Sequence, residues 1–552
     1  MSVSRERSGD GRDGTGGEQP MRRFLIGAVL VIAVGSGSRA ADPAMERVEA
    51  VLGTPAYKTG HWGLLVVDAK TGETVYEKNP DQLFCPASVT KLFSTSAAMS
   101  DLGADYRFKT PVVRRGDVGT DGTLKGDLIL VAGGDLSFGG RTGPDGALLF
   151  EDNDHSYAAG SFKATLVNGN PRAGLEHLAK GIKESGIKTI TGDVLVDDRL
   201  FEPAASTGSG PSRVVPIIVN DNVVDVVVTP ASKVGEPAVV TIKPETAFVS
   251  FDAQVTTAAE KTTASIEVAA IGPRRFTVRG RLPVGHRPVV KIYEVEEPAA
   301  FARTLFLEAL RDQGIKFSAS PLGDNAALSL PARPDVAKLP IVAEYTSPPF
   351  KEYAKVILKV SHNLHASTLP LIIAAHHGET TLDAGLRREG ALLKGLGVDI
   401  SSIAFGGGAG GARADLVTPR ATVTLLQAMA KRPDFSAFEA ALPVLGRDGT
   451  LSQAVAPDSP ARGHARAKTG TYWLNNGLNG EALLTSKALA GYMETASGRP
   501  LVFAFFVNNI PLKGGNVNDS TAAVGKLLGS LCEVFYADAA ASPAPGTPKA
   551  NE

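Results

Sequence analysis

The sequence predicts an α+β protein, in which one mixed domain of helices and strands is interrupted by a long strand-rich insertion. Helical periodicity is concentrated between residues 88 and 102 and again beyond residue 347. The stretch between them consists mostly of short alternating runs separated by turn residues, which is typical of strands. The 552 residues are 43% hydrophobic and 21% charged, with a formal net charge of -1. This composition indicates a globular protein without a global attraction to nucleic acid or to anionic membranes.

Residues 1–40 are expected to be a disordered extension followed by a signal peptide. Arg22 and Arg23 precede an apolar run at 24–34, and Ser38-Arg39-Ala40 has small residues at both positions that a signal peptidase reads. Cleavage is expected before Ala41. The apolar run is shorter than the roughly 20 residues that a spanning helix needs. We therefore expect a periplasmic or otherwise extracytoplasmic protein with no stable membrane span after cleavage.

Residues 41–104 are predicted to form the first part of the mixed domain. Residues 63–68 and 73–76 have the composition of a two-stranded hairpin. Residues 88–102 carry an apolar helical face that ends at Gly103.

Residues 105–339 are predicted to be a strand-rich insertion of one or two domains. One clear helix is expected there, at 299–313, ended by Gly314. The strand-like runs are residues 127–132, 193–197, 223–229, 276–281 and 289–295.

Residues 340–537 are predicted to complete the mixed domain, before a disordered Pro- and Ala-rich tail at 538–552. Helices return from residue 347, and a final helix is expected at 520–536. Strands are predicted at residues 465–472, 488–492 and 501–508.

Three short patterns carry candidate chemistry, and their context selects among the copies. Ser-x-x-Lys occurs at 88–91 and 185–188, Lys-Thr-Gly begins at 58, 70 and 468, and Ser-x-Asn is Ser361-His362-Asn363. Ser88 and Lys91 share one face at a helix start, where backbone N–H groups favour an oxyanion. The copies at 58, 70 and 185 fit a linker, a hairpin turn and a loop, whereas Lys468 lies on a strand.

The order of these triplets resembles that of the active-site serine penicillin-recognising enzymes. The gap from Ser88 to Ser361 is far longer than in most of them and is filled by strand-rich sequence. In this it is similar to the D-alanyl-D-alanine carboxypeptidase/endopeptidase family of low-molecular-mass class C penicillin-binding proteins (peptidase family S13). The segment LFCPASVTKL at 83–92 and the segment DGTL at 448–451, ahead of AKTGT at 467–471, agree with this resemblance.

The resemblance implies a fold and an activity. The mixed domain would be a β-lactamase/transpeptidase-like domain, with an antiparallel sheet flanked by helices. The protein would be a serine-type D-Ala-D-Ala carboxypeptidase, with endopeptidase activity in addition, that acts on peptidoglycan stem peptides and is acylated by β-lactam antibiotics. No cofactor, no metal and no nucleic-acid partner are implied.

The resemblance also implies roles for the triplet residues. Ser88 attacks the substrate carbonyl with Lys91 as general base, and burial plus the like charge of Lys468 are expected to depress the pKa of Lys91. Ser361 relays a proton to the leaving amine, and Asn363 positions the substrate amide. Lys468 completes the catalytic set and helps to bind the substrate carboxylate. The substrate-binding residues implied beside it are Thr469, Gly470, Thr471 and Arg413.

Three features depart from the family pattern. The family's Asp-Gly-Ser-Gly-Leu-Ser-Arg loop is replaced at 407–413 by Gly-Gly-Ala-Gly-Gly-Ala-Arg, and a segment at 475–487 is added after the Lys-Thr-Gly strand. His362 is the middle residue of the Ser-x-Asn triplet and His365 follows it closely, on what is expected to be a helix. A metal-binding histidine pair is disfavoured there, because HExxH is absent and no carboxylate ligand is evident nearby in the sequence.

Two other functions use the same site. A β-lactamase or esterase is one, but the deacylating Glu-x-x-Leu-Asn loop of class A lactamases does not occur. The second is a wall-binding penicillin-binding protein with low turnover, which the altered 407–413 loop suggests. A Ser-His-Asp triad is discounted because no G-x-S-x-G elbow is present. Cys85 and Cys532 could form a disulfide or remain separate thiols.

Overall fold

The computed structural model describes residues 43–160, 162–208, 210–325, 329–514 and 516–538. The predicted signal peptide with its cleavage point before Ala41 lies outside these residues, as does the tail beyond residue 538. Within the described residues, every helix is too short or too polar to cross a bilayer. Both cysteines are free thiols, which answers the question that the sequence left open.

The described residues form eleven α-helices. They are α1 (Pro43–Leu52), α2 (Thr90–Leu102), α3 (Ala173–Glu184), α4 (Pro298–Asp312), α5 (Arg333–Val336), α6 (Phe350–Lys359), α7 (Asn363–His376), α8 (Leu382–Gly395), α9 (Pro419–Ala430), α10 (Phe435–Ala440) and α11 (Val517–Asp538).

Twenty β-strands accompany them in the same part of the chain. They are β1 (His61–Asp68), β2 (Thr74–Lys78), β3 (Lys109–Val118), β4 (Thr123–Val131), β5 (Thr189–Ile190), β6 (Val194–Asp197), β7 (Val223–Thr229), β8 (Val239–Lys243), β9 (Ser250–Ala258), β10 (Ser265–Gly272), β11 (Arg275–Pro283), β12 (Val289–Glu294), β13 (Lys316–Phe317), β14 (Ile341–Thr346), β15 (Ile403–Ala404), β16 (Leu416–Val417), β17 (Ala465–Asn475), β18 (Ala482–Glu494), β19 (Pro500–Asn508) and β20 (Ile510–Leu512).

An antiparallel sheet with the order β17-β18-β19-β1-β2 organises the mixed domain. Alternate residues of β1 face two different cores. Leu64 and Val66 pack with α1 and α11 on one face, whereas Leu65 and Val67 pack with α2, α7 and α9 on the other. A sheet with helices on both faces confirms the predicted fold, and burial of β1 on both faces explains its continuous apolar run.

Three further sheets come from the strand-rich insertion. Their orders are β13-β5-β4-β3-β14, with β6 beside β4, then β10-β11-β9 and β12-β7-β8. Helices α3 and α4 cover them and share one apolar core with them. Strand β14, which follows the expected boundary at 340, is hydrogen-bonded to β3 at the edge of the first of these sheets.

The added segment at 475–487 lengthens a hairpin of the central sheet. Strand β17 continues to Asn475, β18 begins at Ala482, and their ladder runs to the pair Asn475–Ala482. Strand β20 pairs with β18 at Ala482–Leu484 and supports the extended hairpin from its other side. The added segment at 475–487 therefore lengthens β17, the edge strand that carries Lys468, at its C-terminal end.

Candidate active site

Ser88 and Lys91 lie at the start of α2, as their spacing predicts. Ser88 is in a 3-10 turn, Ala87–Val89, that leads directly into the helix. The Lys91 ammonium or amine is fully buried, and its Nζ is 2.8 Å from Ser88 Oγ, 2.7 Å from Asn363 Oδ1 and 2.9 Å from the Ala409 carbonyl oxygen. One nitrogen thus connects the Ser-x-x-Lys turn, the Ser-x-Asn triplet and the 407–413 loop.

Two glycines allow the Ser88 turn to pack closely against its neighbours. A Cβ at Gly470 on β17 would collide with the Pro86 carbonyl oxygen, and a Cβ at Gly410 would collide with the Ala87 carbonyl oxygen. Gly410 also has a φ of +85°, which favours glycine over other residues. The structure therefore gives Gly470 a packing role under the Ser88 turn.

The Ser-x-Asn triplet spans the turn between α6 and α7, so the expectation that it lies on a helix is wrong for Ser361. Ser361 has a φ of +67°, and His362 is the N-cap of α7. This left-handed turn separates Ser361 from the helix and brings its Oγ to 2.9 Å from Lys468 Nζ. Asn363, the first helical residue, donates its backbone N–H to Asp154 of the insertion at 2.7 Å.

Burial controls the electrostatics of the two central lysines. Loss of solvation lowers the pKa of Lys91 to about 7, although the charges of Asp154 and Asp415 act to raise it. Burial also holds the pKa of Lys468 well below its usual range, and the nearby charges of Lys91 and Lys487 lower it further. Lys91 is therefore partly neutral near pH 7, which is the state that a general base requires.

The outer edge of β17 carries hydroxyl groups beside an open cleft. Thr469 Oγ1 is 2.8 Å from Thr450 Oγ1, and Thr471 Oγ1 accepts a hydrogen bond of 2.9 Å from Lys487 Nζ. These residues line a cleft of about 480 Å³ between the strand and α11. Lys487 belongs to no motif in the sequence, and only the strand pairing Thr471–Lys487 brings it to this edge.

The 407–413 loop acts through its backbone. The Ala409 carbonyl accepts from Lys91, and the Gly408 carbonyl accepts from Ser94 Oγ at 2.9 Å. Arg413 is exposed, and its side chain makes no hydrogen bond or ion pair with the described residues. The structure therefore does not bring the expected substrate-binding Arg413 into contact with the triplets, whereas backbone oxygens of its loop do reach Lys91.

A buried acid–base cluster lies behind the Ser-x-Asn turn. Asp221, from the insertion, lies 2.9 Å from His365 Nε2, 3.2 Å from His362 Nε2, 2.8 Å from His155 Nδ1 and 2.6 Å from Arg141 Nη2. Burial acts to raise the pKa of Asp221, but Arg141 and the histidines outweigh it and hold that pKa well below its usual range. No carboxylate is close to His362 and His365 in the sequence, and Asp221 reaches them from a distant part of the chain.

Two groups among the described residues have the atom types of a metal site. One is Asp221 with His362 and His365, where the Arg141 guanidinium already neutralises the carboxylate. The other joins the C-terminal ends of α2 and α7, where Asp101 contacts His376 at 2.9 Å and His377 at 2.7 Å. In both groups the carboxylate oxygens are already engaged by protein cations or imidazoles.

Comparison with known proteins agrees with this geometry. A model of the D-Ala-D-Ala carboxypeptidase 3 (S13) family matches residues 44–528, which is most of the chain. The chain belongs to this S13 family. A D-alanyl-D-alanine carboxypeptidase from Actinomadura sp. (strain R39) is 31% identical, over 88% of this chain and 84% of the relative. The D-alanyl-D-alanine carboxypeptidase DacB of Haemophilus influenzae is 24% identical, over 81% of this chain and 85% of the relative.

A solved structure shares the fold of this chain. The crystal structure of penicillin-binding protein 4 (DacB) from Haemophilus influenzae superposes with a TM-score of 0.65 at 20% identity, covering 89% of this chain and 99% of that chain. The same protein complexed with a novel β-lactam gives a TM-score of 0.63 at 22% identity, with the same coverage. These superpositions support the expected β-lactamase/transpeptidase-like fold with its insertion.

Proposed function

We propose that the chain is a serine-type D-Ala-D-Ala carboxypeptidase, with endopeptidase activity, that cleaves peptidoglycan stem peptides through an acyl-enzyme on Ser88. β-Lactams would acylate the same hydroxyl. The observation that carries the proposal is the position of Lys91 Nζ, which is fully buried and within hydrogen-bond distance of both Ser88 Oγ and Asn363 Oδ1. The carboxypeptidase names of the relatives and the β-lactam complex of the solved structure support it.

In acylation, neutral Lys91 removes the proton of Ser88 as its Oγ attacks the carbonyl carbon of the penultimate D-Ala. The negative charge that develops on the carbonyl oxygen is accepted by the backbone N–H groups of Ser88 and Thr471. When the C–N bond breaks, the proton that Lys91 took from Ser88 passes by way of the Ser361 hydroxyl to the leaving amine, so Lys91 is neutral again. Lys468, 2.9 Å from Ser361 Oγ, orients that hydroxyl for the transfer.

In deacylation, water attacks the ester with Lys91 as base, and the Ser88 hydroxyl is regenerated. Asn363, held by the Lys91 contact and by Asp154, positions the substrate amide. The hydroxyls of Thr469 and Thr471, together with Lys468, form the site for the terminal carboxylate. Gly470 keeps this edge close to the nucleophile turn. The expected signal peptide agrees with a site of action outside the cytoplasm.

Release of D-Ala from a pentapeptide tests this function directly. We expect wild type to release one D-Ala for each pentapeptide, and Ser88→Ala to lose at least 1,000-fold of that rate, as expected for a missing nucleophile. Penicillin hydrolysis measured alongside distinguishes the β-lactamase alternative, which requires rapid turnover. Stoichiometric penicillin binding without D-Ala release would instead indicate the low-turnover wall-binding alternative.

A further inference from the structure

Lys487 is a cation beside Thr471 of the Lys-Thr-Gly strand, and none of the three triplets includes it. It lies on β18 directly opposite Thr471 of β17, and its Nζ donates to Thr471 Oγ1 at 2.9 Å. Among the described residues, no carboxylate oxygen lies within 4.0 Å of this nitrogen. Its one hydrogen bond to a hydroxyl leaves an ammonium with two further protons to donate.

Lys487 differs from Lys468 in its exposure to the cleft. Lys468 is fully buried, and its Nζ already contacts Ser361 Oγ and the Thr469 carbonyl oxygen. Lys487 is only half-buried and lines the cleft of about 480 Å³ together with Thr469 and Thr471. An anion that enters this cleft therefore meets Lys487 without displacing a bond of the proton-transfer path.

The packing of α11 keeps this position open. A Cβ at Gly525 would approach Lys487 Nζ to 3.3 Å, so the glycine leaves the ammonium room next to the helix. The other charged groups that line the cleft are Asp152 and Lys526. Asp152 accepts a hydrogen bond from the Gly449 backbone N–H at 3.0 Å, and Lys526 is exposed on α11.

We propose that Lys487 forms the direct ion pair with the C-terminal carboxylate of the substrate, while Thr469 and Thr471 donate their hydroxyls to it. Lys468 then serves chiefly the Ser361 proton path. This inference rests on the proposed function, because it assigns a partner to the carboxylate of the leaving D-Ala. A carboxylate is favoured because ammonium and hydroxyl donors converge there with no acidic partner on Lys487.

The test compares an N-acylated peptide ending in D-Ala-D-Ala with the same peptide as its C-terminal amide. For Lys487→Met we expect KM for the free acid to rise at least tenfold with kcat changed by less than threefold, and less than twofold change for the amide. Lys487→Arg keeps the charge and should restore most of the KM. The matched control Lys526→Met, which removes an exposed lysine of the same cleft, should stay within twofold of wild type on both peptides.

The outcomes separate this inference from the proposed function. Unchanged kinetics in Lys487→Met, or equal losses on the acid and the amide, would overturn the role of Lys487 while leaving the enzyme assignment intact. Thermal unfolding of each variant shows whether an equal loss comes from damage to the fold. A wild-type protein that neither hydrolyses the free acid nor binds penicillin would overturn both.

Discussion

In the proposed mechanism Lys91 sets the pH range in which the Ser88 hydroxyl can react, since its buried nitrogen lies 2.8 Å from Ser88 Oγ. The residues of the three triplets could be predicted because their order and the i, i+3 spacing of Ser88 and Lys91 are visible in the sequence. The Ala409 carbonyl and Lys487 could not, since a backbone oxygen carries no residue signature and Lys487 reaches the cleft only through strand register.

The pKa of about 7 for Lys91 predicts the pH dependence of acylation. Only the neutral amine accepts a proton, so the second-order rate of penicillin acylation should fall about tenfold for each pH unit below that value. Above about pH 8 this dependence should level off. Stopped-flow measurement between pH 5.5 and 9 checks this, and a flat profile down to pH 5.5 would contradict the role of Lys91.

Contacts between elements explain why the three triplets meet. The Ser88 turn lies directly on β17 because Gly470 has no Cβ, and the Ser361 turn reaches Lys468 through a left-handed residue. Periodicity predicted several helices and strands, among them α2, α4 and β17, because their apolar patterns are local. It did not predict the turn at Ser361, because a positive φ at a serine has no sequence signal.

Gly470→Ala tests the close approach of β17 to the Ser88 turn. The added methyl would collide with the Pro86 carbonyl oxygen, so we expect the Ser88 turn to shift and penicillin acylation to slow at least tenfold. Overpacking of this kind should also lower the free energy of unfolding by about 1–3 kcal/mol. The control is Gly477→Ala at the tip of the extended hairpin, where a Cβ meets nothing within 4 Å. Equal acylation rates in both variants would contradict the packing role.

At the scale of the whole molecule, residues of the strand-rich insertion contact the candidate active site at the Ser-x-Asn turn. Its residues Asp154 and Asp221 contact Asn363, His362 and His365 around the Ser-x-Asn turn. The sequence predicted the insertion from its strand-rich composition, but not this contact. A charged residue in a distant segment has no sequence pattern that indicates which residue it will contact in the folded protein.

Asp221→Asn tests whether the Asp221 cluster stabilises the fold and the Ser-x-Asn turn. The amide cannot neutralise Arg141 or a charged His155, and one buried charge without its partner costs about 3–5 kcal/mol. We expect that loss in the free energy of unfolding from urea titration, together with slower acylation. Asp252→Asn is the control, because its ion pair with Arg279 is exposed and should contribute less than about 1 kcal/mol. Equal effects of the two substitutions would contradict a structural role for the cluster.

His155 makes the contribution of the cluster to the free energy of unfolding depend on pH. Burial acts to lower its pKa, but the carboxylates of Asp225 and Asp221 raise it from 6.5 to about 9. A raised folded-state pKa contributes stability that is fully present below pH 6.5 and is lost as the pH rises through 9. Relative to His155→Gln, wild type should therefore lose about 3 kcal/mol of unfolding free energy across that range. A difference that stays constant with pH would show that His155 is not charged in the folded protein.

The most direct measurement of the central claim is the site at which a β-lactam becomes covalently attached. Intact-mass analysis and peptide mapping of the protein after brief exposure to penicillin should give one adduct, on the peptide that contains Ser88. Ser88→Ala should carry none, whereas Ser185→Ala, in the second Ser-x-x-Lys sequence at the end of α3, should label like wild type. An adduct that persists in Ser88→Ala, or that maps to another residue, would contradict the account.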